Sequence, residues 1–215
     1  WRRMAVPASY LLNRLNRGSS RYNAGDVMLY EHLEDPLLYD GSQIEPAWAL
    51  SELGIKGSSI ITWIGPMDVK NIVDYEDVEL EIKSEEVLHF IVEHFDEQPS
   101  SLRLAYHRQR ILVMLLMEEL MRTGVRTRRE GDDLYIGSSK LTVSIATASV
   151  SSMKIHLGVN IHERGTPEDV DTIGLLDEKP ELSADDIKGI AENVAMAYIH
   201  EIDSIEDDIA KTRIF

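Results

Sequence analysis

The spacing of apolar positions in this chain changes several times, and each change marks an element. From Arg103 to Thr123, Leu104, Ile111, Leu112, Leu115, Leu116, Leu120 and Met121 recur at helical spacing, and Gly124 follows. A long amphipathic helix ended by that glycine is predicted, with a serine of Gln98-Pro99-Ser100-Ser101 available to cap its start. From Val125 to Ile161 the period drops to two, with turns at Glu130–Asp132, Gly137–Ser139 and Ala148–Ser152. That pattern predicts a three-stranded antiparallel meander. Ser183-Ala184-Asp185-Asp186 opens a last helix, the serine as cap and the acids at the positive end of the helix dipole.

The first half is less regular. Ile44, Ala47, Trp48, Leu50 and Leu53 suggest a helix capped by Ser42, tolerating Pro46 in its first turn and stopped by Gly54. Ser59-Ile60-Ile61-Thr62-Trp63-Ile64 lies between Gly57 and Gly65-Pro66 and reads as a buried strand, and further strands are expected at Val78–Ile82 and Val87–Val92. The order helix, strands, helix, meander, helix argues for α+β architecture, with helices packed on a mixed or antiparallel sheet.

Composition narrows this picture. A chain of 215 residues, 43% hydrophobic and 28% charged, suits one well-buried globular domain. Its longest apolar run, Ile111–Met117, is too short to span a membrane. With no cysteine, disulfides and thiolate chemistry are excluded, which fits a cytoplasmic protein. The net charge of −16 is uneven: residues 1–25 carry Arg2, Arg3, Arg14, Arg17 and Arg21 and no acid. Residues 1–27 are therefore expected to form a basic extension peripheral to the fold, and 28–215 a single domain. So acidic a body disfavours nucleic acid as a partner.

Candidate chemistry gathers around the meander. Lys140 heads a strand in which Leu141, Val143 and Ile145 would share one face, and Lys140, Thr142, Ser144 and Ala146 the other. That small polar face fits either the floor of a pocket or a solvated edge whose lysine discourages aggregation. Asp132-Asp133 could hold Mg²⁺ or be an ordinary turn. Arg126, Arg128 and Arg129 precede it and could either clamp an anion or balance nearby acids. In His89-Phe90-Ile91-Val92-Glu93-His94-Phe95-Asp96, strand alternation puts His89 and Glu93 on one face and His94 and Asp96 on the other. This divides the apparent ligand set and argues against zinc; no metal site is expected, and the cofactor is left unassigned. Walker, GxGxxG and GxSxG motifs are absent.

The meander resembles the core of biotin and lipoate protein ligases, which share a fold with class II aminoacyl-tRNA synthetases. The matching residues are Gly131-Asp132-Asp133-Leu134-Tyr135, Lys140-Leu141-Thr142-Val143 and Gly158-Val159-Asn160, with Gly41-Ser42-Gln43 near the start. At Tyr39-Asp40-Gly41-Ser42-Gln43-Ile44, His89–Phe95, Gly131–Tyr135 and Lys140–Ala146, the whole body is also similar to an archaeal family of uncharacterised proteins with this ligase-like fold. The resemblance implies that Lys140 contacts the acid carboxylate and an adenylate phosphate, with Asp133 near the adenylate and Asn160 beside the nucleotide. It implies that Ser42 and Gln43 flank the acyl pocket. Biotin ligases carry a Gly- and Arg-rich loop where this chain has Gly65–Asp77, with one lysine among four acids. That departure argues against ATP-dependent ligation.

The expectation is a binder of a small carboxylate or acyl ligand, with acyltransferase or divergent ligase activity as its catalytic form. Its catalytic residues would be Lys140 and Asp133, and its substrate-binding residues Ser42, Gln43, Arg129, Ser144, Asn160, His89 and Glu93. The rival reading is a non-catalytic homodimer or assembly protein that keeps the fold without activity.

Overall fold

A computed structural model describes residues 28–69, 82–167 and 169–212. The basic extension, the acidic stretch 70–77 and all but Ile82 of the strand expected at Val78–Ile82 lie outside the described residues. The main sheet has five strands in the order β1-β2-β3-β8-β7. They are β1 (Leu29–His32), β2 (Ser59–Val69), β3 (Ile82–His94), β7 (Thr142–Ala148) and β8 (Met153–Asn160). Among the described strand pairs of this sheet, β1–β2 is parallel and the others are antiparallel, so the sheet is mixed. A second sheet holds three short strands, β4 (Arg128–Glu130), β5 (Asp133–Ile136) and β6 (Ser139–Lys140). The helices are α1 (Trp48–Leu53), α2 (Leu102–Arg122), the one-turn α3 (Leu175–Glu178) and α4 (Ala184–Lys211).

Period-two alternation decides what each strand presents. In β3, Leu88, Phe90 and Val92 point to the layer formed by α2 and α4, as do Met153, Ile155, Leu157 and Val159 of β8. This is the larger core, and Leu112, Leu116, Leu120, Ile190, Val194 and Tyr198 of the two helices fill its other half. The far face of the sheet carries Ile61, Trp63, Val87 and Ile91, covered by Tyr39, Ile44, Trp48 and Ala49 from the connection between β1 and β2. Parallel strands need a crossover, and here that crossover supplies the second covering layer. The two central strands are thus enclosed on both sides, and every residue of β8 is buried.

Several expectations change at this level. The Val125–Ile161 region is not one meander: β4, β5 and β6 form their own small sheet, and the chain enters the main sheet at Thr142. At the junction Leu141 donates its N–H to Leu134 and accepts from Asn160 N–H, breaking the alternation. Leu141 therefore joins the helical core while Val143 and Ile145 pack on the far face. The helix expected from Ile44 splits into a 3-10 turn (Ser42–Ile44) and α1. Between them Ala47 takes a left-handed conformation at φ 62°, which ends any continuous helix. Ser42 does not cap; its hydroxyl donates to Asp40 Oδ1 at 2.6 Å. By contrast, Ser101 accepts from Leu104 N–H at the start of α2, and Ser183 with Asp186 forms a reciprocal capping box on α4.

Candidate functional site

Lys140 stands where the small sheet meets the main one. Its backbone N–H donates to Asp171, and its carbonyl accepts from Ile173 N–H. These two bonds fix the strand end from which the side chain extends. Its ammonium lies 2.9 Å from Asp133 Oδ2. The lysine side chain is 31% exposed and the aspartate 21% exposed, so the pair is neither sealed nor fully solvated. Burial raises the Asp133 carboxyl above its ordinary value, against the opposing pull of Lys140. An ammonium has three donors, so one carboxylate partner leaves Lys140 capacity for a second anion.

The preceding residue is held from the helical layer. Arg110 of α2 sits 2.6 Å from Asp132 Oδ1, and Gln109 Nε2 donates to Asp132 Oδ2 at 2.8 Å. Gln109 Nε2 also reaches Ser144 Oγ at 2.7 Å. The Asp132-Asp133 turn is thus gripped on one side by a helix and engages Lys140 on the other. No group of three or more His, Asp or Glu side chains that could hold a metal occurs among the described residues.

The other sequence-derived candidates separate from this pair. Asn160 is one hydrogen bond away through Leu141, and its side chain is buried. Ser144 faces the helices, because it pairs in register with Leu157 and bonds Gln109. Ser42 and Gln43 shape their own turn: Gln43 Nε2 donates to Leu38 O, and its Oε1 accepts from Asp40 N–H. Arg129 is exposed and donates to the Gly131 carbonyl within its own hairpin. Arg128 pairs with Glu130 and lies over the Tyr135 ring, 4.9 Å from its centroid.

His89 and Glu93 do share a face, as alternation requires, while His94 points to the helices and bonds Tyr198 Oη at 2.8 Å. Sequence reasoning overlooked what meets them there. Glu93 pairs in register with Lys154, whose ammonium is 2.9 Å from Glu93 Oε2. Glu93 Oε1 accepts from Ala47 N–H at 2.8 Å and from Ser152 Oγ at 2.7 Å. Burial pulls the Lys154 ammonium below its ordinary value, with Glu93 opposing. Farther along the same face, His89 Nδ1 lies 3.0 Å from His156 Nε2, and His89 Nε2 lies 3.2 Å from the Gly65 carbonyl. Tyr39 stacks on His156 at 3.7 Å between centroids, and Trp63 on His89 at 4.7 Å. The available signal was the period-two series Lys154, His156, Gly158, Asn160, whose alternate members are all apolar.

The chain is similar in sequence and fold to several known proteins. A family model described as a domain of unknown function (DUF366) matches residues 28–213. An uncharacterised protein of Methanocaldococcus jannaschii is 40% identical over 188 residues, covering 84% of this chain and 82% of its own. A solved protein of unknown function from Pyrococcus horikoshi superimposes with a TM-score of 0.80 at 36% identity, covering 87% of this chain and 99% of the other. At fold level, the biotin protein ligase of Aquifex aeolicus, solved with biotin and ATP, matches with a TM-score of 0.56 at 13% identity, covering 80% and 70%. A lipoate-protein ligase A bound with ATP matches at 0.52 and 11%, covering 82% and 86%. The mixed α+β architecture is that of the biotin and lipoate ligases.

Proposed function

This chain belongs to the DUF366 family, and from that premise we propose that it binds a small carboxylic acid or acyl compound, with Lys140 as the anion contact. The observation that carries this reading is the half-open Lys140–Asp133 pair at 2.9 Å. A charge held by one buried-side partner and still reachable from solvent can take a second carboxylate by charge-assisted hydrogen bonding. The ligase neighbours support the class of ligand, since the biotin ligase is solved with biotin and ATP and the lipoate ligase with ATP. In this reading residues 28–215 are one ligase-like domain, residues 1–27 are peripheral to it, and the protein works in the cytoplasm. Asp133 orients the ammonium, and Asp132, held by Gln109 and Arg110, keeps the turn in place. Where the ligand is an acyl thioester rather than the free acid, an acceptor nucleophile would take the acyl group, the thiol would leave, and Lys140 would hold the carbonyl oxygen as charge develops on it.

The test is ligand-induced thermal stabilisation across a panel of carboxylic acids and nucleotides. An acid present at a hundred times its Kd stabilises by about 2.7 kcal/mol. Lys140→Ala removes a charged hydrogen bond, worth about 1.5–3 kcal/mol, so the affinity should fall by about ten- to a hundredfold. If no acid or nucleotide stabilises the wild type, or if Lys140→Ala is stabilised equally, the reading fails.

A further inference from the structure

The last helix outruns the body it packs on. In α4, Ile187, Ala191, Val194 and Tyr198 recur three or four residues apart and are buried. Ile202, Ile205 and Ile209 continue that spacing in the same phase, so one apolar stripe runs the length of the helix. Burial does not keep pace with it: Ile202 and Ile205 are half-buried, and Ile209 is 61% exposed. A helix in a protein draws most of its stability from packing such a stripe. Among the described residues, the last turns of α4 have little beneath theirs.

The start of α2 lies at the same end, since Asn193 of α4 bonds Glu119 at 2.7 Å and Arg108 feels the charge of Glu206. Its first residue, Leu102, is 51% exposed and extends the apolar strip. Charge then says what suits this face. Residues 201–211 hold Glu201, Asp203, Glu206, Asp207 and Asp208 against Lys211. The C-terminal end of a helix favours cations, so acids gathered there oppose the dipole and one another. A cationic segment with apolar side chains would relieve both faults.

The chain holds such a segment and delivers it to this place. Residues 1–25 carry five arginines and no acid, with Tyr10, Leu11, Leu12 and Leu15 among them. Leu29 pairs with Ser59 and Ser59 with Glu93, so β1 begins at the sheet end where His94 bonds Tyr198 at 2.8 Å. Met28 is buried in the same core as Tyr198. The chain thus enters β1 beside the point where the stripe of α4 leaves the core. From Tyr198 to Ile209 is about 17 Å along the helix, which about six extended residues cover. We propose that residues 1–27 dock along the projecting end of α4, leucines on Ile205 and Ile209 and arginines toward the flanking acids. The docking uses none of the residues around Lys140, so failure of the acid-binding reading would leave it standing.

Hydrogen–deuterium exchange of the full chain is the test. In Arg14→Glu/Arg17→Glu/Arg21→Glu the amides of 203–211 should exchange about tenfold faster than in the wild type, while those of α2 stay unchanged and show that the fold is kept. Adding Glu201→Arg/Asp208→Arg should restore the protection by exchanging the signs. Because the chain has no cysteine, Leu12→Cys/Ile209→Cys gives a second readout, and on oxidation it should form a disulfide within one chain. Exchange at 203–211 that ignores the triple change, or that the reversed signs do not restore, would overturn the proposal. So would disulfides formed between chains, which would mean that a second copy covers the stripe.

Discussion

A buried ammonium and carboxylate in the middle of a sheet stabilise only as a pair. Glu93 and Lys154 are each about 1% exposed and 2.9 Å apart. Their desolvation is costly, and removal of one partner strands the other. Lys154→Met should destabilise the protein by about 3–5 kcal/mol in urea unfolding. The double variant Glu93→Gln/Lys154→Met removes both charges and keeps an acceptor for Ala47 N–H. It should cost less than the single change, and an equal or larger cost would refute the stranded-charge account. Half of this pair was legible beforehand: alternation alone put His89 and Glu93 on one face. Lys154 and His156 were not, because the motif in their strand, Gly158-Val159-Asn160, lies at its other end. Charged and aromatic-polar side chains at alternate positions of an enclosed strand carry no hydropathy signal that separates a pocket from a solvated surface.

Elements were legible wherever a local signal agreed with tertiary demand. The long helix read from Arg103 to Thr123 is α2 at Leu102–Arg122, and Ser183 caps α4 as its capping box indicates. Ser183→Ala should cost about 1 kcal/mol, seen as a lower urea midpoint at unchanged slope. A shift of the slope instead would mean that the cap organises more than one helix end. The same logic failed at Ser42, whose hydroxyl donates to Asp40, and at Ala47, whose N–H is drawn to Glu93 across 46 residues of sequence. There a long-range acceptor overrides helix propensity, and no local window of sequence contains it. The split of the expected meander has a similar cause, since Leu141 is shared between Leu134 of one sheet and Asn160 of the other.

Across the whole molecule, enclosing both faces of the sheet makes stability depend on acid. Burial lowers His89, His94 and His156, the first two to about 3, while unfolded histidines protonate near their ordinary 6.5. As pH falls below about 6.5 the unfolded chain takes up protons that the folded one refuses, so stability falls with pH. Each histidine contributes at most about 1.4 kcal/mol per pH unit in that window. Urea midpoints measured from pH 7 to pH 4 should decline steadily, and a flat profile would show that these rings protonate in place. Of the architecture, the α+β class and the ligase likeness were readable from motif spacing. The mixed sheet order was not, because it depends on β3 finding β8 across the whole of 95–152. That pairing also has a consequence for synthesis on the ribosome. At about 5–20 residues per second, β3 emerges several seconds before the strand that completes it. Through that interval Leu88, Phe90 and Val92 have neither β8 beside them nor α4 above them. The nascent half-sheet, with β3 as an unpaired edge and an uncovered apolar side, is the species most exposed to aggregation.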